Sequence, residues 1–222
     1  MQPLRTTDRD LLVVGVPVYR GRVPTLLTGW LHAISARDTP AIPVVVYGNR
    51  IYDDALIELG DILTGCGCRP IAGAACIGEH SFSSSEMPIA GGRPDAADLH
   101  RIEAFGRRIR EKLDAAPSAD RIGAPALPGR RPYRGVPQIP AEDFIAVSDA
   151  CTQCGICAEV CPVGAIDPEE SSLTDAGACI TCCACIKSCP EHARSIMPGR
   201  VKDMSLHLYT LCGERKEPEF FL

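Results

Sequence analysis

Eight of the thirteen cysteines in this 222-residue chain belong to one spacing pattern that occurs twice. The two copies are Cys151-x-x-Cys154-x-x-Cys157-x-x-x-Cys161-Pro162 and Cys179-x-x-Cys182-x-x-Cys185-x-x-x-Cys189-Pro190. Three thiolates at steps of three residues bind one corner each of an iron–sulfur cube, and the fourth reaches a second cube. The pattern therefore predicts two [4Fe-4S] clusters and one-electron transfer.

The crossed arrangement of such repeats gives each cluster three cysteines from one copy and one from the other. Cluster 1 is expected to bind Cys151, Cys154, Cys157 and Cys189. Cluster 2 is expected to bind Cys161, Cys179, Cys182 and Cys185. Pro162 and Pro190 fix φ, so that the preceding cysteine does not continue a helix and its sulfur stays turned toward the distant cube.

Tetrahedral zinc is the main alternative, because Cys-x-x-Cys pairs also bind that metal. Zinc sites use two separated pairs, and a run of three cysteines followed by Cys-Pro would leave ligands unused. The pattern thus favours iron–sulfur clusters over zinc.

The remaining five cysteines are interpreted as packed thiols. Cys183 lies beside Cys182 inside the second copy, where a small buried residue is favoured over a spare ligand or a redox-sensitive thiol. The other four are expected in or near the core: Cys66, Cys68, Cys76 and Cys212.

The composition limits which partners and which cellular compartment are expected. The net charge is -5, and no Lys/Arg-rich cluster predicts a nucleic-acid partner. The apolar run at 11–19 is too short for a membrane span, and the N-terminal residues lack a signal-peptide pattern. Many cysteines without a secretory signal indicate a reducing compartment, so the sequence predicts a cytoplasmic protein.

Acidic residues surround the cysteine repeat. Between residues 151 and 197, two bases, Lys187 and Arg194, accompany six acids: Glu159, Asp167, Glu169, Glu170, Asp175 and Glu191. A negative face steers a protein toward basic docking sites on redox partners. A solvated surface without a docking role is the alternative.

The chain divides into four predicted segments. Residues 1–115 alternate apolar runs with helical patterns, which is typical of three βα units and a parallel sheet. The three strands are expected at 11–16, at 42–47 and near 71–77. The six prolines of residues 116–142 predict an extended linker. Residues 143–200 contain the cluster repeat, and 201–222 are expected to form a short helix and a tail.

Several stretches resemble the flavodoxin–ferredoxin fusion family of anaerobic microbes. Besides both cysteine motifs, they are VGVPVYRGRVP (14–24), VVVYGNRIYDDAL (44–56), GEHSFS (78–83), GGRPDAADL (91–99), PGRRPYRG (128–135) and CGERKEPEFFL (212–222). The resemblance implies an α/β plus α+β fold, with a partial flavodoxin-like parallel sheet preceding a bacterial-type dicluster ferredoxin domain.

The resemblance also implies a flavin site at the carboxyl ends of the strands. The loops that would flank FMN contain Tyr19, Gly21, Tyr47, Gly48 and Asn49. Tyr19 and Tyr47 would stack on the ring, or else cap the core. The family's Ser/Thr/Gly-rich phosphate loop is missing, which argues against tight FMN binding.

Relative to that family the chain is N-terminally short, which leaves its first strand as an unpaired apolar edge. Truncation is the favoured explanation, and a dimer formed through this edge is the alternative. The leading hypothesis is a non-enzymatic electron carrier with redox protein partners. The alternative is a flavin-dependent reductase, or its electron-transfer subunit, with FMN in the first domain.

Overall fold

The computed structural model describes residues 4–135 and 141–222. The chain forms two compact units. Unit 1 contains Met1–Glu79, Ala90–Pro137 and Glu214–Leu222, and unit 2 contains His80–Ile89 and Gln138–Gly213. Two short segments thus group differently from the predicted segments: residues 80–89 belong with the cysteine repeat, and the tail belongs with the sheet.

Unit 1 contains a two-stranded parallel sheet and a five-stranded sheet. The two-stranded sheet pairs β1 (Arg5–Thr6) with β3 (Ser35–Ala36). The larger sheet contains β2 (Leu12–Pro17), β4 (Thr39–Tyr47), β5 (Cys68–Pro70), β6 (Gly73–Ile77) and β9 (Glu219–Phe221). Its order is β2-β4-β6-β9, with β5 beside β4. All pairings are parallel except that of β9 with β6.

Both faces of this sheet are covered by helices: α1 (Thr25–His32), α2 (Ala55–Gly65) and α3 (Ala96–Ala115). Val45 packs with Leu59 of α2 in one core, and its neighbour Val44 packs with Phe105 of α3 in another. Successive strand residues point to opposite faces, so a strand buried on both faces must be apolar throughout. The expected α/β architecture with a parallel sheet is confirmed, while its flavodoxin-like topology stays a prediction.

The strand β2 lies at one end of the sheet. Within the described residues no strand pairs with its outer edge, and the side chain of Val13 is 58% exposed. Association of this edge with another chain stays a prediction.

The described part of the predicted linker contacts α2 within unit 1. The buried Asp54 carboxylate, at the N-terminus of α2, accepts hydrogen bonds from the backbone N–H groups of Arg130 (3.0 Å) and Arg134 (2.8 Å). Leu127 packs against the first core. Residues 136–140 of the predicted linker lie outside the described residues.

The described residues of unit 2 form a small antiparallel sheet and three helices. The sheet pairs β7 (Ile145–Val147) with β8 (Arg194–Ile196). The helices are α4 (Ile156–Glu159), α5 (Ala184–Lys187) and α6 (Arg200–Leu211). Phe82 and Ile89 pack in the same core as Val201, which explains why residues 80–89 group with this unit. None of the helices in residues 4–135 and 141–222 combines the length and the apolar character that crossing a membrane requires.

The N-terminus of α3 contains a buried ion pair that allows a stability test. Asp98 is fully buried, accepts hydrogen bonds from the Arg93 guanidinium, and forms a capping box with Asp95. Removing one partner of a buried pair leaves the other charge uncompensated. We expect Asp98→Ala to lower the free energy of unfolding by about 3 kcal/mol or more, as measured by urea denaturation.

Asp114 is the matched control, because it forms an exposed pair with Arg110 on the same helix. Asp114→Ala should cost less than about 1 kcal/mol. Equal losses of unfolding free energy in the two variants would contradict the prediction that the buried pair contributes more to stability than the exposed pair does.

Candidate iron–sulfur site

The two cysteine repeats adopt the same local backbone. In each copy a left-handed residue precedes a one-turn helix: Gly155 (φ 79°) before α4 and Cys183 (φ 56°) before α5. Each helix carries the third cysteine of its copy, Cys157 or Cys185, and both of these are buried. The left-handed turn folds the chain back, so that the first three cysteines of a copy lie around one space.

Two cavities in unit 2 are lined by the repeat cysteines. The residues that line the first include Cys151, Cys154, Cys157 and Cys189. Those that line the second include Cys161, Cys179, Cys182 and Cys185, with Cys183 beside them. The structure therefore brings together the same two crossed sets that the spacing predicts.

The fourth cysteine of each copy is held by an identical contact. The backbone N–H of Ala165 donates to Cys161 Sγ (3.2 Å), and that of Ala193 donates to Cys189 Sγ (3.3 Å). Both donors lie four residues after the cysteine, beyond the proline. Hydrogen bonds to a thiolate stabilise its charge and fix its orientation, which prepares these two sulfurs to bind metal.

The donor set fits a group larger than a single ion. A tetrahedral zinc ion would draw four sulfurs to a distance of about 2.3 Å. Among the described residues, no three His, Cys, Asp or Glu side chains converge on one ion position. Each cavity instead has four cysteines in its lining, which is the ligand set of an iron–sulfur cube.

Burial changes the acidity of the candidate ligands in the second cavity. It raises the pKa of the Cys179 and Cys185 thiols, whereas the positive charge of Arg194 acts against that rise at both. A metal binds the thiolate form and releases the proton of the thiol. The free energy of metal binding must therefore exceed the free energy needed to ionise these buried thiols.

Arg194 is a site residue that sequence reasoning missed. The sequence counted it among the surface bases, but it is only 3% exposed and lines the first cavity. Its Nη1 donates to Cys157 Sγ (3.4 Å) and to the Ser171 carbonyl (2.6 Å). A signal was present: with a repeat period of 28 residues, Arg194 occupies the position of Ile166 in the first copy.

The predicted flavin residues lie in unit 1. Tyr19 and Arg22 exchange backbone hydrogen bonds of 3.0 and 3.1 Å around a tight turn that includes Gly21, whose φ is 80°. The Gly21 carbonyl accepts from the Asp54 backbone N–H (3.1 Å), which brings this turn against the loop that follows β4.

The residues after β4 contact the core and the tail. Tyr47 is 5% exposed, and its ring packs edge-on against Tyr52 at 5.3 Å. Gly48 accepts from the Arg50 backbone N–H (2.9 Å), and Asn49 Nδ2 donates to the Glu214 carbonyl of the tail (2.8 Å). The structure thus brings the predicted loops together, with the tail across them.

Cys183 is 2% exposed and occupies the left-handed position that glycine fills in the first copy. If it is a packed residue and not a ligand, Cys183→Gly should retain the iron content of the anaerobically purified protein. Its neighbour Cys182 is the matched control, and Cys182→Gly should lose the iron of the second cavity. Equal iron losses in the two variants would make Cys183 a ligand.

Comparison with known proteins supports this assignment. Residues 145–167, which contain the first cysteine copy, match the family model of the 4Fe-4S binding domain. Neither the curated proteins nor the solved structures gave a match to this chain. The chain therefore contains a ferredoxin-like iron–sulfur part that binds at least one [4Fe-4S] cluster and serves electron transfer.

Proposed function

We propose that the chain carries two [4Fe-4S] clusters and acts as an electron carrier between redox proteins. The observation that supports it best is the pair of cavities, each lined by three cysteines of one copy and one of the other. The match to the 4Fe-4S binding domain covers the first copy, and the second repeats its spacing and backbone.

The residues of the two cavities have separate tasks in this proposal. The eight cysteines bind iron, and Ala165 and Ala193 orient the two crossing sulfurs. When bound, the clusters supply one-electron transfer. Apolar side chains including Ile145, Val163 and Ile166 line the second cavity and would exclude water from it. Limited access of solvent is one of the factors that set the potential of such a site.

The acidic surface of unit 2 supports a basic docking partner. All six acids between residues 151 and 197 are exposed, whereas one of the two bases, Arg194, is buried. The surface is therefore more negative than the residue count alone suggests. A field of this sign raises the encounter rate with positively charged partners.

The alternative is a flavin-dependent reductase with FMN held by unit 1. In that case Tyr47 would have to leave its packing against Tyr52 in order to stack on the ring. The hydrogen bond between Asn49 and the Glu214 carbonyl would also compete with a ligand at the same loop. These contacts favour the carrier over the reductase.

Iron, sulfide and flavin assays on anaerobically purified protein test the two proposals together. Two cubes predict about eight iron and eight sulfide ions per chain. A carrier should contain no flavin. About four iron ions per chain would contradict the second cluster, and one flavin per chain would favour the reductase.

The crossed ligand sets can be tested in a background that lacks the first site. Cys151→Ser combined with Cys154→Ser should leave about four iron ions per chain. Adding Cys161→Ser should remove the remaining iron, because this cysteine lines the second cavity. Adding Cys189→Ser should not, because this cysteine lines the first.

Cys161 and Cys189 are well matched, since each precedes a proline and accepts the same backbone hydrogen bond. The opposite result, with iron lost only after Cys189→Ser, would show that each copy binds its own cluster.

Salt dependence tests the docking face. The rate of electron transfer from the reduced protein to cytochrome c, a basic acceptor, should fall at least about tenfold from low to high ionic strength. A neutral quinone is the control acceptor, and its rate should stay constant. If both rates respond equally to salt, the acidic surface does not steer docking.

A further inference from the structure

We infer that Arg194 is a fixed positive charge that raises the reduction potentials of both cluster sites. The inference rests on the proposed function, because it requires clusters in both cavities. The cysteine pattern alone gives no indication that Arg194 affects the reduction potentials.

Arg194 differs in chemical type from its counterpart in the first copy. Ala165-Ile166 in the first copy corresponds to Ala193-Arg194 in the second, 28 residues later. Both alanines are buried and donate to the crossing cysteine, and both following side chains are buried. The two copies thus place an apolar side chain and a guanidinium in equivalent buried positions.

Within the part of the chain that the structure describes, no carboxylate forms an ion pair with Arg194. Besides Cys157, its hydrogen-bond acceptors include two neutral oxygens, the Ser171 carbonyl and the Thr174 hydroxyl. Its buried Nε has no hydrogen-bond partner among the described residues. A buried cation is costly unless negative charge lies nearby, and arginine does not lose its proton in proteins. Apart from the exposed Glu191, the acidic groups that line the first cavity with Arg194 are the cysteine thiols.

The same side chain acts on both cavities. Its Nη1 donates to Cys157 of the first set, and its Nη2 donates to the hydroxyl of Thr174, a residue that lines the second cavity. Reduction adds one negative charge to a cluster, so a nearby positive charge in a medium of low dielectric constant favours the reduced form. The effect should be larger at the first site, where a guanidinium nitrogen donates to a ligand sulfur.

Three variants test the inference by anaerobic voltammetry. Arg194→Ile copies the residue of the first copy, Arg194→Lys keeps the charge, and Arg200→Ile removes an exposed arginine of the same unit. Arg194→Ile should make reduction of the first cluster at least tenfold less favourable, a shift of about 59 mV for one electron. The second cluster should shift in the same direction by less.

The controls separate charge from packing. Arg194→Lys should keep both potentials closer to those of the natural protein than Arg194→Ile does. Arg200→Ile changes the net charge equally and should shift either potential much less. Iron and sulfide counts on every variant show which clusters are present.

Potentials in Arg194→Ile that match those in Arg200→Ile would overturn the inference. If Arg194→Ile loses iron, the comparison moves to Arg194→Gln, which keeps a polar head group. Loss of iron from both uncharged variants would also overturn it, because Arg194 would then be a structural tie for the 171–174 segment. A natural protein with one cluster would refute the proposed function while still allowing the potential of that cluster to be compared.

Discussion

The crossing of Cys161 and Cys189 between the two repeats is the constraint on which unit 2 depends. Each cavity takes three sulfurs from one copy and the fourth from the other, so neither set of ligands is complete until both copies have folded. The left-handed turns before α4 and α5, the prolines after the crossing cysteines and the Ala165 and Ala193 hydrogen bonds all position these sulfurs. Metal binding and folding should therefore be coupled in this unit.

Charge is distributed in unit 2 in two different ways. Acids remain on the surface, where water screens them and a partner can approach. The buried Arg194 lies beside the candidate ligands, where a charge acts strongly because little water screens it. In the proposed carrier, the surface charges would affect the rate of encounter with a partner, and the buried charge would affect the reduction potentials of the clusters.

The spacing indicated which cysteines lie around each cavity, because cysteines three residues apart need only a local turn to face one space. That the two sets bind two clusters stays a prediction. The sequence also located β2 and β4 from their apolar runs, since strands buried on both faces have few polar residues. It missed β9, because Glu219–Phe221 pairs with a strand that lies more than a hundred residues earlier in the chain. The third predicted strand, near 71–77, corresponds to β6, and the short strand β5, just before it, was not predicted.

Arg194 was missed for a related reason: a lone arginine usually marks a surface, and only the comparison with Ile166 reveals an exceptional position. The prolines of residues 116–142 predicted an extended segment, but they could not show that its backbone donates to Asp54. Such contacts depend on which distant elements meet, and this information is spread over the whole chain. Local patterns therefore identified the chemistry better than they identified the residues that modulate it.

The central claim is that two clusters occupy one small unit. Spin integration of the electron paramagnetic resonance signal from the fully reduced protein tests it most directly. Two reduced clusters should give about two spins per chain, with line broadening from the interaction of two nearby centres. A simple signal that integrates to one spin per chain, in protein whose iron content accounts for a single cube, would contradict it.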